Sequence, residues 1–466
     1  MEGDLSLLDK LKDECGVFGI FDKDGHDIAL LSYFALYAIQ HRGQESAGIA
    51  VSNGQDIVYY RGMGLVPEVF TEDNLKELKV GRIGIGHVRH SVRGGNFPQN
   101  TQPLVTKYKK GNMALAHNGA LINAPALRET LEEKGAIFQT TTDSEVIANI
   151  IARSSDKDLE NALEVMLKNI KGSYALVIMT QENLIGIRDP HGIRPLVLGK
   201  LKNSYVLASE TCAFDAIGAE YIRDVRPGEI IIISDEGLKS IQTPVPLQSS
   251  FCIFEFVYFA RTDSVIDGIS VYEARRDAGR ILARENPVDA DIVVGVPDSG
   301  TTAALGYAEE SGIPYREGLI RNRYVGRTFI KPTQAMREQS VRIKLNALSR
   351  LVKGKRIVLV DDSIVRGTTS KAIIELLRLA GAKEIHMRIS SPPIKYPCFF
   401  GIDTPDRGEL IGASSTVDEI CEEIGADSLS YLSIDGLLKT VESSGCSFCL
   451  GCFNREYPME CEGRCE

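Results

Sequence analysis

The segment that most constrains the fold of this chain runs from residue 357 to residue 370 and reads IVLVDDSIVRGTTS. A short apolar run, typical of a buried strand, is followed by the adjacent acids Asp361 and Asp362 and then by a loop rich in glycine and hydroxyl groups. Ligands of open parallel sheets bind beyond the carboxyl ends of the strands, and helix N-termini bind phosphate. An N-capped helix after a turn would explain the acids alone. Their combination with Gly-Thr-Thr-Ser favours a phosphoribosyl pocket, in which the acids hold ribose hydroxyls or Mg2+.

The sequence around this segment alternates between strand and helix. Apolar runs predict strands at 291–296, 356–360 and 384–389, and amphipathic stretches predict helices at 270–285 and 369–380. Strands separated by helices at this spacing indicate a parallel sheet with crossover connections.

The first half of the chain has a different pattern, with many short strands. Examples are residues 83–86, 174–178, 205–208 and 229–233, and longer helices are predicted at 27–40 and 144–153. This pattern suits sheets stacked between helices, an α/β arrangement. A segment rich in Pro, Ser and Gln at 241–250 reads as a linker. The predicted units are a leader at 1–14, an N-terminal domain at 15–245, a second domain at 246–425 and a C-terminal helix with a cysteine-rich tail at 426–466.

Composition excludes several classes of protein. With 53 basic and 63 acidic residues the net charge is −10, which argues against nucleic-acid and anionic-membrane partners. No apolar run approaches the ~18 residues of a membrane helix. The first fourteen residues are mostly acidic and polar, unlike a secretory signal, although Leu5, Leu8 and Leu11 fit one face of a short helix. We therefore expect a cytoplasmic protein.

Cysteine usage is uneven along the chain. Five of the ten cysteines lie in the last 21 residues, at Cys446, Cys449, Cys452, Cys461 and Cys465. The first three of these are separated by two residues each, a spacing typical of metal ligands, because thiolates three positions apart can bind one centre. In a long chain without a signal peptide, metal or catalytic roles are favoured over disulfides.

Residues 357–370 resemble the signature of the type I phosphoribosyltransferases. The resemblance implies that Asp361 and Asp362 meet the ribose of phosphoribosyl pyrophosphate (PRPP). It also implies that the loop holds the 5′-phosphate through Ser363, Gly367, Thr368, Thr369 and Ser370. Residues 294–302 resemble the pyrophosphate loop of that family, with Ser299 as a contact to Mg2+ or pyrophosphate and the two acids as further Mg2+ contacts.

A basic stretch lies between these two segments. Residues 321–331 carry Arg323, Arg327 and Lys331. A solvated surface loop is the plain interpretation. On an acidic protein, however, a cationic loop beside a pyrophosphate site is better explained as one that closes over the site and excludes water.

The N-terminal half carries a second resemblance. The run Cys15-Gly-Val-Phe-Gly is followed by HRGQES at 41–46, GHVR at 86–89, HNG at 117–119 and TDSE at 142–145. Taken alone, the histidines suggest a Cys–His pair or satisfied core residues. Together these motifs resemble the class II glutamine amidotransferases, which have an N-terminal nucleophile fold built as an αββα sandwich.

This resemblance implies a role for each motif. As the terminal residue, Cys15 would use its own α-amine as base, so no histidine is required. Asn118 and Gly119 would form the oxyanion hole, Arg89 would bind the α-carboxylate of glutamine, Asp143 would bind its α-ammonium and Arg42 would shape the pocket. Because the amine must be free, we expect autocatalytic cleavage between Glu14 and Cys15.

Both halves together resemble the family of glutamine phosphoribosylpyrophosphate amidotransferases, in its leader-bearing iron–sulfur branch. The resemblance implies the first step of purine synthesis: glutamine, PRPP and water give 5-phosphoribosylamine, pyrophosphate and glutamate, with internal transfer of ammonia. It implies Mg2+, a homotetramer, feedback by purine nucleotides and a [4Fe-4S] cluster on Cys252, Cys398, Cys449 and Cys452. Cys446 is a rival ligand, Cys461 and Cys465 have no assigned role, and zinc would also suit four thiolates.

Three other functions fit part of the sequence. A PRPP-sensing regulator would keep the acidic pair without catalysis, but such proteins bind nucleic acid and the net charge is negative. A glutaminase that feeds another acceptor would lack the segment at 357–370. An iron–sulfur electron carrier would have no use for two substrate pockets.

Overall fold

The computed structural model describes residues 11–13, 15–79, 81–91, 95–154, 158–243, 249–322 and 344–461. The predicted leader falls largely outside this part of the chain, as do Glu14, the loop residues Arg323, Arg327 and Lys331, and Cys465. We call residues 15–243 the N-terminal half and residues 249–461 the C-terminal half.

Within the described residues, the N-terminal half and the segment before it contain fourteen strands. They are β1 Lys12–Asp13, β2 Cys15–Phe21, β3 Ser46–Ser52, β4 Ile57–Met63, β5 Ile83–Arg89, β6 Leu104–Tyr108, β7 Gly111–Leu121, β8 Gly172–Thr180, β9 Leu184–Arg188, β10 Val197–Leu201, β11 Ser204–Ala208, β12 Glu220–Asp224, β13 Glu229–Ser234 and β14 Gly237–Gln242. The helices are α1 Ile28–Ala38, α2 Val66–Val69, α3 Glu72–Glu77, α4 Ala124–Glu133, α5 Asp143–Arg153, α6 Leu159–Asn169 and α7 Cys212–Ile217, with 3-10 turns at Gln40–Arg42 and Pro98–Asn100.

Two antiparallel sheets form the centre of the N-terminal half. Their strand orders are β12-β10-β11-β2-β5-β3-β4 and β14-β13-β9-β8-β7-β6. Alternate residues of both sheets, such as Val17, Ile85 and Ala116, fill the layer between them. The opposite faces are covered by α1 and α7 on the first sheet and by α5 and α6 on the second. The predicted αββα sandwich is therefore confirmed.

The strands of the C-terminal half are β15 Phe251–Cys252, β16 Val265–Ile266, β17 Ile269–Ser270, β18 Ile292–Gly295, β19 Leu319–Arg321, β20 Leu345–Ala347, β21 Arg356–Asp361, β22 Glu384–Ile389, β23 Ile402–Asp403, β24 Ser428–Tyr431 and β25 Phe448–Cys449. Its helices are α8 Val271–Glu285, α9 Thr301–Ser311, α10 Ser349–Val352, α11 Thr368–Leu379, α12 Ile411–Ser414, α13 Val417–Ile424, α14 Ile434–Lys439 and α15 Gly451–Asn454. A π-helix spans Glu255–Phe259, and 3-10 turns lie at Arg407–Glu409 and Glu442–Ser444.

A four-stranded parallel sheet, in the order β18-β21-β22-β24, organises the C-terminal half. Helices cover both faces: Val358 and Val360 pack with α8 and α9, while Ile357 and Leu359 pack with α11 and α13. This is the predicted parallel α/β unit. Its last strand, β24, lies beyond residue 425, so the sheet continues into the segment that the sequence assigned to the tail.

The local predictions differ from the structure in a few places. The predicted helix at 27–40 ends at Ala38 and is followed by a 3-10 turn, and helices α4 and α6 were not predicted. Strand β1, in the predicted leader, pairs antiparallel with β23, with Lys12 opposite Asp403. Among the described residues, no helix has the length and apolar character needed to span a membrane.

Two candidate active sites

The carboxyl end of strand β21 carries the first candidate site. Asp361 ends the strand, and Asp361 and Asp362 are both almost completely buried. Asp361 Oδ1 accepts a hydrogen bond from the Asp362 N–H at 2.9 Å, and Ser363 Oγ donates to Asp362 Oδ2 at 2.5 Å. These bonds fix the two carboxylates in the buried loop after the strand.

The loop then turns into helix α11. Gly367 precedes the helix with a φ of 82°, a left-handed conformation that favours glycine. Thr368, Thr369 and Ser370 form the first helical turn, where backbone N–H groups have no partner within the helix. An anion at this end would meet N–H and hydroxyl donors together.

The neighbouring strand β18 brings the second predicted loop to the same edge. Ser299 Oγ donates to Asp361 Oδ1 at 3.3 Å. Gly300 packs against the end of β21 so closely that a Cβ there would lie 2.3 Å from the Val360 carbonyl oxygen. The structure thus brings together Ser299, Asp361 and Asp362, a hydroxyl and two carboxylates of the kind that binds a hard cation.

The predicted closing loop lies outside the described residues, but its base is described. Arg321, the last residue of β19, forms an exposed ion pair with Asp298 at 2.7 Å. The start of the basic stretch is therefore attached to the loop that carries Ser299.

The second candidate site lies between the two sheets of the N-terminal half. Cys15 begins β2 and is opposite Arg89, the last residue of β5. Side chains alternate along a strand, and Val17 and Ile85 face the layer between the sheets, so Cys15 and Arg89 face it too. Cys15 Sγ lies 3.9 Å from the carbonyl oxygen of His90.

Asn118 approaches the same layer from the other sheet, on the inner face of β7 with Ala114 and Ala116. It is completely buried, and within the described residues neither atom of its amide has a hydrogen-bond partner. Leaving such a group unpaired costs about 1–3 kcal/mol, which a bound ligand oxygen would recover. The next residue, Gly119, has a φ of 132°, and a Cβ there would lie 2.3 Å from the Ser173 carbonyl oxygen, so only glycine fits.

A chain of hydrogen bonds leads from Arg89 to Thr141, which lies near Asp143 in the sequence. Arg89 Nη2 donates to the Gly95 carbonyl at 3.1 Å, and the same carbonyl accepts from Asn100 Nδ2. Asn100 Nδ2 also donates to Thr141 Oγ1, two residues before Asp143. Asp143 begins α5 and accepts a hydrogen bond from the Leu121 N–H at 2.8 Å.

Two buried histidines near this site are neutral. Burial lowers the pKa of His87 to about 3 and that of His117 to about 4. His87 Nε2 lies 3.0 Å from the His117 carbonyl oxygen and so links the two sheets. Both rings are therefore uncharged at neutral pH.

A carboxylate beside Cys15 was not predicted. Glu45 Oε1 lies 3.1 Å from His90 Nδ1, and Glu45 Oε2 accepts hydrogen bonds from the N–H and hydroxyl of Ser91. Burial raises the pKa of Glu45, but the bonds from His90 and Ser91 outweigh it and lower the pKa to about 2. Glu45 belongs to the HRGQES motif, but its sequence gives no sign of this pairing.

Arg42, which is predicted to shape the glutamine pocket, lies among buried carboxylates. Its guanidinium is fully buried and bonded to two carboxylates: Nη2 donates to Glu255 Oε2 at 2.6 Å, and Nε donates to Glu210. The pair with Glu255 joins the two halves, whereas Glu210 lies in the same half as Arg42. Glu210, Glu255 and Arg194, which also pairs with Glu255, were not predicted.

The four predicted cluster ligands lie near one another where the C-terminal segment meets the chain that follows the linker. They are Cys252, Cys398, Cys449 and Cys452. Cys252 and Cys449 are opposite each other in the parallel pair β15–β25. The carbonyl oxygen of Cys452 accepts from the Lys395 and Tyr396 N–H groups, just before Cys398. Burial raises the pKa of the Cys452 thiol well above its usual value, and the thiols of Cys449, Cys252 and Cys398 raise it further.

Burial of these thiols disfavours negatively charged sulfur, and a few polar contacts oppose this effect. Burial raises the pKa of Cys449 to about 12, while a backbone bond from Gly451 and the charge of Arg194 oppose this. Cys398 Sγ accepts a hydrogen bond from the Phe400 N–H at 3.3 Å. Cys461, which has no predicted role, is buried, and its thiol also raises the pKa of Cys449.

Two protein-family models match the chain. A glutamine amidotransferase domain matches residues 87–216, and a phosphoribosyl transferase domain matches residues 272–390. Each match lies on the half of the chain in which the corresponding site is found.

Relatives match almost the whole chain. An amidophosphoribosyltransferase of Bacillus subtilis is 52% identical over 98% of this chain and 96% of its own length. One of Archaeoglobus fulgidus is 52% identical over 97% of this chain and 100% of its own length. A solved structure of glutamine PRPP amidotransferase from B. subtilis, complexed with ADP and GMP, is 51% identical, covers 96% of this chain and 98% of its own, and superposes with a TM-score of 0.91.

Proposed function

The chain belongs to the amidophosphoribosyltransferase family, and we propose that it makes 5-phosphoribosylamine, pyrophosphate and glutamate from glutamine, PRPP and water. One observation carries the proposal: a buried layer that holds Cys15, Arg89 and Asn118 and a strand edge that holds Ser299, Asp361 and Asp362 occur in the same chain. Neither site alone would require the other.

The N-terminal half hydrolyses glutamine. Cleavage before Cys15 frees its α-amine, which takes the thiol proton, since an unperturbed α-amine has a pKa of about 7.7–8.0. The thiolate attacks the carboxamide carbon, and the Nδ2 of Asn118 and the N–H of Gly119 donate to the oxygen on which negative charge develops. The tetrahedral intermediate collapses to a thioester and releases ammonia, and water then hydrolyses the thioester to glutamate.

Two charged side chains orient the substrate in this half. Arg89 binds the α-carboxylate of glutamine through its guanidinium, and Asp143 binds the α-ammonium. Support comes from the position of Arg89 directly opposite Cys15 and from its hydrogen-bonded connection toward the start of α5.

The C-terminal half transfers the phosphoribosyl group. Ammonia forms a bond to C1 of the ribose as the bond from C1 to pyrophosphate breaks, and a proton is then lost from nitrogen. Asp361 and Asp362 hold the ribose, and the N–H groups and hydroxyls at the start of α11 hold the 5′-phosphate. Ser299 with the two carboxylates would hold Mg2+, which when bound neutralises charge on the leaving pyrophosphate. Internal passage keeps ammonia from being protonated in water.

We further propose that Cys252, Cys398, Cys449 and Cys452 hold a [4Fe-4S] cluster. The support is the convergence of four thiols, the N–H bond to Cys398 and the cation Arg194 beside them. When bound, the cluster would supply ligand bonds that tie the linker, the loop after β22 and the C-terminal segment together.

The remaining parts of the proposal follow from the family. We propose that residues 1–14 are removed by autocatalysis and that the enzyme is a homotetramer. We also propose that it is cytoplasmic, since a reducing compartment preserves the thiol ligands. Purine nucleotides are proposed as inhibitors, because the related B. subtilis enzyme was solved with ADP and GMP.

The test of the function is release of glutamate from glutamine and of pyrophosphate from PRPP by anaerobically purified protein with Mg2+. We expect both products in equal amounts, and ammonium salts should replace glutamine as nitrogen source. Glutamate release without pyrophosphate would mean a glutaminase with another acceptor. Absence of both products from protein whose mass shows that residues 1–14 are gone would favour a PRPP sensor.

The cluster is tested by replacing rival ligands. Cys449→Ser should lose iron and acid-labile sulfide, whereas Cys446→Ser should keep both. Zinc in place of iron in the unmodified protein, or iron loss in Cys446→Ser alone, would contradict the assignment. Intact mass of the active protein tests the leader, because a species that begins at Met1 or Glu2 would exclude cleavage.

A further inference from the structure

The loop that carries the acidic pair lies beside the end of a third strand, β22, which the proposed chemistry does not use. Strand β22 runs parallel to β21, with Ile389 opposite Asp361. The next two residues, Ser390 and Ser391, are both buried, Ser391 completely. Because the carboxyl ends of parallel strands meet at the same edge of a sheet, these serines lie next to the loop that begins at Asp361.

Both serines hold main-chain oxygens of the acidic pair. The Ser390 N–H donates to the Asp361 carbonyl at 2.9 Å, which extends the ladder between β22 and β21. The Ser391 hydroxyl donates to the Asp362 carbonyl at 2.7 Å, and this bond is buried. Residues 392 and 393 are prolines, which have no N–H to donate. A side chain therefore continues the attachment at the point where the main chain cannot.

The bond from Ser391 constrains the side chain of Asp362 as well as its main chain. The Asp362 N–H donates to Asp361 Oδ1 at 2.9 Å, and Asp362 Oδ2 accepts from Ser363 Oγ at 2.5 Å. The Asp362 carbonyl and the Ser363 nitrogen belong to one planar peptide unit. A rotation of this peptide would therefore move the Ser363 hydroxyl away from the carboxylate that it holds.

We propose that Ser391 is a positioning residue for PRPP, whose hydroxyl holds the Asp362 peptide so that the two carboxylates meet the ribose in the correct geometry. Ser391 acts through Asp362 rather than on the substrate itself. Without the hydroxyl, the buried Asp362 carbonyl would lose this donor, and the loop would shift to recover one. Binding groups need such support from residues behind them. This inference rests on the proposed function, because it concerns the same phosphoribosyl site.

The neighbouring serine provides a matched control. Ser390 is also buried, and its bond to Asp361 comes from the backbone N–H, which alanine keeps. Ser390→Ala therefore removes a buried hydroxyl one residue away and leaves the attachment of the loop intact. Two further variants grade the effect at Ser391 itself. Ser391→Thr keeps the hydroxyl, whereas Ser391→Cys nearly keeps the size but offers a weak S–H donor.

The experiment measures ammonia-dependent pyrophosphate release against PRPP concentration, at saturating Mg2+, in the full-length protein. We expect Ser391→Ala to raise the KM for PRPP by about 10-fold, as for the loss of one buried hydrogen bond, and to change kcat by less than about 3-fold. Ser391→Thr should restore most of the lost affinity, and Ser391→Cys should lie between the two. Ser390→Ala should match the unmodified protein, and PRPP-free glutamate release should be unchanged in every variant.

The outcomes separate this inference from the proposed function. A hydroxyl that serves stability alone would lower the midpoint of urea unfolding and leave the KM for PRPP unchanged, and that result in Ser391→Ala overturns the inference. An equal rise of KM in Ser390→Ala also overturns it. Should Ser391→Ala fail to fold, Ser391→Cys decides, and an unchanged KM in that variant overturns the role of Ser391. If the unmodified protein releases no pyrophosphate from PRPP, the proposed function itself fails.

Discussion

The N-terminal and C-terminal halves present their reactive groups in different ways. In the N-terminal half, Cys15, Arg89 and Asn118 lie on three strands and face the closed layer between two antiparallel sheets. In the C-terminal half, Asp361 ends strand β21, and Asp362 and Ser299 lie in loops at the carboxyl ends of the parallel strands. The first arrangement fixes donors in a buried layer before substrate binds, whereas the second places acids at strand ends that a charged substrate can reach.

The two arrangements predict different effects of substitutions at the two sites. A group between the sheets cannot be replaced by water or by a neighbouring loop, so its loss should affect one chemical step severely. A group at the strand ends binds the substrate together with other loop donors and Mg2+, so replacing it should lower the rate by a smaller factor. The predictions below test this ordering.

Replacing the nucleophile should have the largest effect. Cys15→Ala removes the attacking thiol, so glutamate release and glutamine-dependent synthesis should fall by about 1,000-fold or more. Ammonia-dependent pyrophosphate release, which needs only the C-terminal half, should be retained. Cys421→Ser, at a partly buried thiol in the C-terminal half, is the control. Parallel loss of the ammonia-dependent reaction would show that the two halves are not separable.

Removing the oxyanion donor should come next. Asn118→Ala deletes an amide that has no partner among the described residues, and loss of one such donor typically costs about 100–1,000-fold in kcat. Glutamate release at saturating glutamine measures this. Asn149→Ala, on helix α5, controls for the loss of an amide elsewhere in the same half. A change in KM with an unaltered kcat would contradict the assignment to the transition state.

A single acid at the strand ends should matter less. Asp361→Asn removes one charge-assisted contact, worth about 1.5–3 kcal/mol, so ammonia-dependent synthesis should fall by about 10- to 100-fold. PRPP-free glutamate release should be unaffected. Asp418→Asn, on the exposed face of α13, should change neither rate. A loss larger than that of Asn118→Ala would reverse the comparison between the halves.

The smallest effect concerns stability rather than catalysis. The folded pKa of Glu45 is about 2, below the unfolded value of about 4.3. Its contribution is therefore present above pH 4.3 and is lost as the pH falls from there toward 2, by up to about 3 kcal/mol. Glu45→Gln should lose less stability than the unmodified protein between pH 6 and pH 3.5, as measured by urea unfolding. Glu72→Gln, at an exposed carboxylate, should match the unmodified protein.

Much of the fold was predictable because its signals are local. The strands at 356–361 and 384–389 and the helix at 271–285 follow the apolar patterns of their own residues. Helix α4 was missed because only Ala124 and Leu131 of its sequence, APALRETLEE, are buried, so few residues mark its inner face. The phosphoribosyl site was read from contiguous residues, whereas the glutaminase site required motifs scattered from residue 15 to residue 143 to be combined through a resemblance.

By itself the sequence determined the two kinds of fold, the strand-end acids and the order of the motifs. Only the tertiary structure decided that Arg42 pairs with Glu255, 213 positions away, that Glu45 and His90 meet beside Cys15, and that Cys461 lies among the other thiols. The physical reason is that strand and helix patterns depend on neighbouring residues, whereas burial, pairing and pKa depend on long-range packing, which brings distant residues into one desolvated space.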